Sequence, residues 1–395
     1  MASTCLEGGR SRKVIRRSRF GCRNCKLRKL KCDEGKPRCK KCGSFGLVCN
    51  FMPGVPDLQP IADDLVRLSV NRKSAEPQPP LSGNVWASDT STFFLLDAKC
   101  QDFVTRYLGR SLITPDDPSM VEVNRKLLRL AFTYPFLMHA SLAVAFAYDR
   151  YLNSSFRSHR TLEECYHWSQ STVLFNIRLR EPIETKDKDA IWGTAAALAM
   201  LSFSSPDACT AEESWPLKSS APFDLEWLCM INGKMSLWRI VNPLRPDSLF
   251  RIMAPTFAHM HTPSPSKGVD GMPRDLAIVC RLEESSTAES NPYFNAAHAL
   301  THIQRLSDGQ VTTGHIQLFI SRIQGPFKYL LRGKDPVALL ILYLWYRKAG
   351  RSIWWIALRA RVECPAICSY LRLYYKESDF IHVFLPGGSN ADDWN

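Results

Sequence analysis

Along the C-terminal three quarters of the sequence, apolar residues recur three and four positions apart, while β-branched alternation with a strand's period of two is scarce. This spacing predicts an all-α body from about Phe93 to residue 395. Phe93 to Arg110 opens it, and Val121 to Leu152 is a long apolar stretch that Pro135 should break or kink. Thr161 to Leu179 sets Cys165, Trp168, Val173 and Leu174 at helical intervals. Asp187 to Phe203 reads as a buried helix started by Asp187 or Asp189. Phe223 to Val241 reads as helix, as do Asn291 to Leu306, Thr313 to Leu331, Pro336 to Ala349 and Ser352 to Tyr375. Ser204 to Pro222 and Pro243 to Gly271 read as irregular connections, and no internal repeat is visible in the body.

The first quarter lacks this pattern. Residues 1–20 are polar and basic without apolar periodicity, which predicts a flexible arm. Residues 21–50 carry six cysteines and almost nothing to build an ordinary core, so they should fold only around a metal. Residues 51–92 hold Pro53, Pro56, Pro60, Pro77, Pro79 and Pro80 among polar residues, a linker composition. Within it, Leu58, Ile61, Ala62, Leu65 and Leu68 recur at helical spacing, but for one or two turns only, too short for a dimerising coiled coil. The expected division is therefore arm 1–20, metal module 21–50, linker 51–92 and helical domain 93–395.

Composition supports a large packed core, with 45% hydrophobic and 11% aromatic residues in 395. The formal charge of +13 is unevenly placed. Residues 1–50 hold fifteen Lys/Arg against three Asp/Glu, leaving 36 basic and 35 acidic residues for everything after them. A positive field concentrated in one eighth of a chain attracts a polyanion such as nucleic acid. No apolar segment follows the N-terminal charges as a secretory signal would require. The longest apolar runs, Ala190 to Phe203 and Val337 to Tyr346, fall short of the roughly 20 residues of a membrane-spanning helix. A soluble intracellular protein with no membrane span is expected, and in a reducing compartment its fourteen cysteines point to metal ligation before disulfides.

Cys22, Cys25, Cys32, Cys39, Cys42 and Cys49 fall in the frame C-x2-C-x6-C-x6-C-x2-C-x6-C, two near-identical halves. A C-x2-C pair can turn both sulfurs onto one tetrahedral ion. Two tetrahedral zinc ions need eight ligand positions, and six sulfurs without a histidine meet that need only if two thiolates bridge. By the internal symmetry, the leading cysteines Cys22 and Cys39 are the natural bridges. Two Zn2+ and six thiolates carry −2, which the surrounding lysines and arginines more than offset. A finger with two histidines is excluded, since no H-x3-5-H pair follows.

The run Gly21-Cys22-Arg23-Asn24-Cys25-Lys26-Leu27-Arg28-Lys29-Leu30-Lys31-Cys32-Asp33-Glu34, followed by Lys36-Pro37-Arg38-Cys39 and Cys42 to Cys49, resembles the fungal binuclear zinc-cluster transcription factors. The resemblance implies two short helices, the first entering the DNA major groove, and the first and fourth cysteines as bridges. Lys29 matches the family's base-reading lysine, and Arg28 the neighbour whose main chain faces bases. Lys26 and Lys31 match its phosphate contacts, and Lys36-Pro37 its loop proline. It further implies nuclear localisation, double-stranded DNA with CGG-like half-sites as partner, contact with the transcription machinery, and room for a homodimer. A lysine ammonium can donate to O6 and N7 of guanine together, which fits the half-site. The basic leader, densest at Arg16-Arg17-Ser18-Arg19, reads as a nuclear-import signal, a phosphate-binding extension, or both. Cys5, outside the frame, reads as a free thiol.

In the body, Phe132-x2-Pro135-Phe136-Leu137-Met138-His139-Ala140, Leu228-x4-Gly233 and Ile353-Trp354-Trp355 resemble the regulatory domain of factors similar to the fungal sterol-uptake regulators. In such relatives the domain holds the factor inactive or senses an apolar ligand, so an apolar small-molecule effector is implied. Read from the residues, Tyr343, Trp345, Tyr346, Trp354 and Trp355 are core aromatics. Cys364 and Cys368 pack as small apolar groups, and His139, His259 and His261 are surface or satisfied core histidines. No G-x-S-x-G, H-E-x-x-H, G-x-x-x-x-G-K-[ST] or G-x-G-x-x-G occurs, so no catalytic residue is assigned. The expected function is a transcription factor for RNA polymerase II genes, an activator, of a secondary-metabolite gene cluster or of a sterol or lipid pathway. The alternative is an enzyme or small-molecule-binding protein tethered to nucleic acid by the zinc module.

Overall fold

Asp-Pro starts two of the long helices in the same way. Asp117 accepts from the backbone N–H groups of Ser119 and Met120 at 3.0 and 3.2 Å, and Pro118 occupies the first turn of Pro118–Ala131, where no N–H is needed. Asp335 accepts from Ala338 N–H at 2.9 Å ahead of Pro336–Ser352. Thr161 caps Leu162–Arg178 through Glu164 N–H at 3.1 Å. These caps belong to the second of two compact units, Met1–Ser82 and Gly83–Asn395. The computed structural model describes residues 20–27, 31–43, 49–51, 85–88, 93–96, 98–109, 117–153, 160–206, 208–377 and 379–386. The basic leader, Cys5, the 58–68 apolar spacing and most of the expected linker lie outside them.

Among its described residues, the second unit is helical apart from one antiparallel pair of strands, Val85–Ser88 and Phe93–Leu96, with Val85 opposite Leu96 and Ser88 opposite Phe93. One strand falls in the stretch read as linker and the other where a helix was expected. Aromatic and β-branched residues at 85, 86, 93 and 94 favour extended backbone, and a four-residue run is too short for helical periodicity to speak. Helix begins at Ala98–Val104.

The core is built on Pro135–Asn153, whose residues 135 to 147 are all buried. It packs along Leu162–Arg178 and Lys188–Ser204, and Lys188–Ser204 in turn packs on Glu226–Ser236 and Trp354–Tyr374. Pro135 separates Pro118–Ala131 from Pro135–Asn153. Tyr343, Trp345, Tyr346, Trp354 and Trp355 lie in this core, as do Cys364 and Cys368. His139 is buried with its Nδ1 2.7 Å from Nδ1 of His167, and burial, reinforced by that neighbour, lowers its pKa to about 3. His259 stacks on His315 at 4.1 Å, and His261 is exposed.

Three local expectations differ from the structure. Neither Asp187 nor Asp189 caps Lys188–Ser204 through its side chain. Asp187 instead takes Arg178 and the Tyr134 hydroxyl, and Asp189 takes Arg245, the Ser248 hydroxyl and Leu249 N–H, so tertiary ion pairs outcompete the local cap. Thr313 to Leu331 is two helices, Thr313–Arg322 and Pro326–Arg332, because Gly325 adopts φ +60° directly before a proline. The Pro243 to Gly271 connection contains Ala254–Ala258, against which Thr313–Arg322 packs.

That last contact depends on Gly314. A Cβ there would lie 1.9 Å from the Thr256 carbonyl oxygen, a backbone atom with little room to move. Gly314→Ala should therefore destabilise the helical unit by about 1–3 kcal/mol, the usual cost of overpacking. Urea unfolding followed by tryptophan fluorescence measures it, and an unchanged midpoint would show that the two helices separate freely.

Candidate metal centre and nucleic-acid interface

The N-terminal unit has no apolar core in its described part beyond the cysteines themselves and Phe51. Two short helices, Arg23–Leu27 and Lys40–Gly43, follow Cys22 and Cys39. Helices of this length do not persist alone in water. What holds them is convergence on sulfur. All six cysteines of the frame are buried. Their sulfurs form two groups of four, Cys22, Cys25, Cys32, Cys39 and Cys22, Cys39, Cys42, Cys49, each lying within 4.8 Å of one another. Cys22 and Cys39 belong to both.

Distances test which ion would fit. The edge of a tetrahedron of thiolates around zinc, with Zn–S near 2.3 Å, is about 3.8 Å. Sulfur separations are 3.8 Å for Cys22–Cys39, 3.7 Å for Cys25–Cys39 and 3.5 Å for Cys22–Cys42. These are too long for a disulfide of about 2.05 Å and fit tetrahedral edges, Cys22–Cys39 being the edge that the two groups share. Backbone N–H groups point at the sulfurs: Cys25 N–H donates to Cys22 at 3.4 Å, Cys42 N–H to Cys39 at 3.3 Å, Glu34 N–H to Cys32 at 3.3 Å and Cys39 N–H to Cys49 at 3.5 Å. Burial pushes the Cys22, Cys25 and Cys39 thiols up. Burial also acts to raise Cys32 and Cys49, but backbone donors and the neighbouring sulfurs together outweigh it and hold both below the usual thiol range. Such sulfurs ionise together only when cations enter among them. The donor set fits two zinc ions, which would supply the tetrahedral centres that tie the two helices together.

The two halves also close each other's helices. The residue after the last cysteine of the first half, Asp33, accepts from the N–H groups of Lys40 and Lys41 at 3.0 and 3.2 Å. These bonds, the one from Lys40 foremost, hold its carboxyl below the usual range. The residue after the last cysteine of the second half, Asn50, accepts from Asn24 N–H at 2.9 Å. Sequence spacing flagged neither residue. The visible signal was that Asp33 and Asn50 are themselves 17 residues apart, as Cys22 and Cys39 are.

Around this centre most of the exposed side chains are cationic. Lys26 lies in the last turn of the first helix, Lys31 precedes Cys32, and Lys36, Arg38, Lys40 and Lys41 follow on the surface. Lys36 also lies 5.8 Å from the Phe51 ring centroid. Arg28 and Lys29 lie outside the described residues. Among the described residues, no other three His, Cys, Asp or Glu side chains converge at metal-binding distance, and no helix is long and apolar enough to cross a membrane.

Residues 20–55 match the fungal Zn(2)-Cys(6) binuclear cluster domain. Three curated relatives illustrate the likeness. Sterol uptake control protein 2 of Saccharomyces cerevisiae is 52% identical over 42 residues, 11% of this chain and 5% of that protein. The Zn(2)-C6 fungal-type transcription factor afumD of Aspergillus fumigatus is 28% identical over 137 residues, 33% of this chain and 32% of that one. The aspercryptin biosynthesis cluster-specific transcription regulator atnN of Emericella nidulans is 39% identical over 59 residues, 15% and 10% of the two chains. The alignments thus span a third or less of these relatives. The segment bearing the six cysteines is a DNA-binding domain of the binuclear zinc-cluster type, and such a domain binds two zinc ions.

Proposed function

From the binuclear zinc cluster at residues 20–55, we infer that this chain is a nuclear, sequence-specific DNA-binding regulator of RNA polymerase II transcription, and an activator. The observation that carries the inference is the pair of four-sulfur groups sharing Cys22 and Cys39 inside a segment of dense positive charge. Cys22 and Cys39 bridge the two ions, and Cys25, Cys32, Cys42 and Cys49 complete the tetrahedra. With six thiolates offset by two Zn2+ and by the exposed lysines, the module stays cationic and attracts the phosphate backbone. Its first helix enters the major groove of a CGG-like half-site, with Lys29 and Arg28 at the base edges and Lys26 and Lys31 on phosphates. The helical unit is the regulatory part, responsive to a small-molecule effector and in contact with the transcription machinery. The names of relatives speak, for those proteins, of sterol uptake and of a biosynthetic cluster. For this chain we propose a target set of the same kind, a secondary-metabolite cluster or a sterol or lipid pathway.

Two lysine variants separate base reading from charge. Lys29→Ala should cost about 1–3 kcal/mol on a cognate duplex and blur its sequence preference. Lys26→Ala should weaken cognate and random duplexes alike and lower the salt dependence by about one counterion. Titration of both variants against both duplexes at several salt concentrations decides the matter. Equal losses on both duplexes for Lys29→Ala would remove it from the base edge.

A further inference from the structure

We propose that Asn50 is a positioning residue for DNA recognition, and that through the 2.9 Å bond from Asn24 N–H to its Oδ1 it fixes the angle at which the first helix is presented. The proposal rests on the reading that this helix enters the groove. Arg23–Leu27 is five residues long, and its sulfur anchors, Cys22 and Cys25, sit at its start and middle. Two sulfur anchors one turn apart fix two points of a short rod but leave it free to roll about the line joining them. Asn50 supplies a third point of attachment from the far end of the module, 26 residues along the chain. A side-chain acceptor on an N–H of the first turn helps to fix a helix start.

The 17-residue repeat supports this role. Displacing the sequence by 17 residues carries Cys22 onto Cys39, Cys25 onto Cys42, Cys32 onto Cys49 and Asp33 onto Asn50. The bonds follow the same operation: Asp33 holds the start of Lys40–Gly43, and Asn50 holds the start of Arg23–Leu27. Each half therefore sets the other's helix, and the device is reciprocal. Its two members differ in charge. A carboxylate sits on the second helix and a neutral amide on the first, where a negative charge would oppose phosphate.

Binding of the zinc-loaded full chain to a CGG-bearing duplex and to a random duplex tests this, with zinc content measured for every variant. Asn50→Ala should keep two zinc ions and bind random DNA as before, while its affinity for the CGG duplex falls about three- to tenfold, the usual worth of one hydrogen bond. Asn50→Asp, which keeps the acceptor, should restore the ratio of specific to random binding even if both affinities drop together. Asp33→Asn should leave that ratio within about twofold, since it too keeps its acceptor. An unchanged ratio in Asn50→Ala, a lost ratio in Asn50→Asp, or loss of zinc from Asn50→Ala would overturn the assignment. If the wild-type chain itself does not prefer the CGG duplex, the functional reading fails first. If it does and Asn50→Ala prefers it equally, only the positioning role fails.

Discussion

Replacing Cys39 by serine should strip both zinc ions from the N-terminal unit, and with them its fold and its DNA binding. Cys39 is one of two sulfurs common to both four-sulfur groups, so one substitution removes a ligand from each ion. It also removes the acceptor for Cys42 N–H and a sulfur 3.7 Å from Cys25. Structural zinc contributes about 10–16 kcal/mol of apparent binding free energy at neutral pH, far beyond what two short helices and Phe51 could replace. Cys22→Ser should behave in the same way. Cys32→Ser and Cys49→Ser each reach one group only, and should weaken one ion while the other is retained. Metal analysis of the four purified variants gives zinc per chain. Equal zinc contents for the shared and unshared positions would exclude bridging by Cys22 and Cys39.

The second large effect lies in the helical core. Arg359 is 7% exposed, and its guanidinium closes the end of Lys188–Ser204 by donating to the Phe203 and Ser202 carbonyls at 2.6 and 3.3 Å. It also pairs with buried Glu363, whose other oxygen accepts from the Tyr346 hydroxyl at 2.7 Å. The Phe203 and Trp227 rings lie 5.3 and 5.7 Å from it. Arg359→Met would leave Glu363 buried without its cation and two helix carbonyls without donors. Removing one partner of a buried pair costs about 3–5 kcal/mol. Arg359→Lys should recover only part of the loss, because an ammonium cannot reach three acceptors in a plane as the guanidinium does. Arg359→Met combined with Glu363→Leu should be less damaging than Arg359→Met alone, since the stranded charge is gone. Urea unfolding of the three proteins measures this order. A double variant as unstable as Arg359→Met would mean that the carbonyl contacts, and not the buried charge, dominate.

The cluster was legible in the sequence because metal ligation writes itself as spacing: six cysteines in a doubled frame admit few arrangements, and the sulfur groups follow that frame. The helix start at Pro336 reads the same way in sequence and structure, whereas Asp117-Pro118 starts its helix three residues before the Val121 that apolar spacing suggests. Contacts between distant segments were not legible. Asp187 and Asp189 look like caps locally, yet Arg178, Arg245 and Ser248, brought in by the fold, take their oxygens. Gly314 gives no sign in sequence that a carbonyl from residue 256 will approach it. Asn50 is intermediate: it looks like an ordinary polar residue until the 17-residue displacement pairs it with Asp33.

The six-cysteine segment should read DNA only as a two-zinc cluster. Its most direct test is to titrate the full chain against a duplex carrying a CGG half-site before chelation, after chelation under reducing conditions, and after zinc is returned. The expected result is specific binding that disappears with the metal and returns at two zinc ions per chain. Undiminished specific binding by the chelated protein would contradict the account.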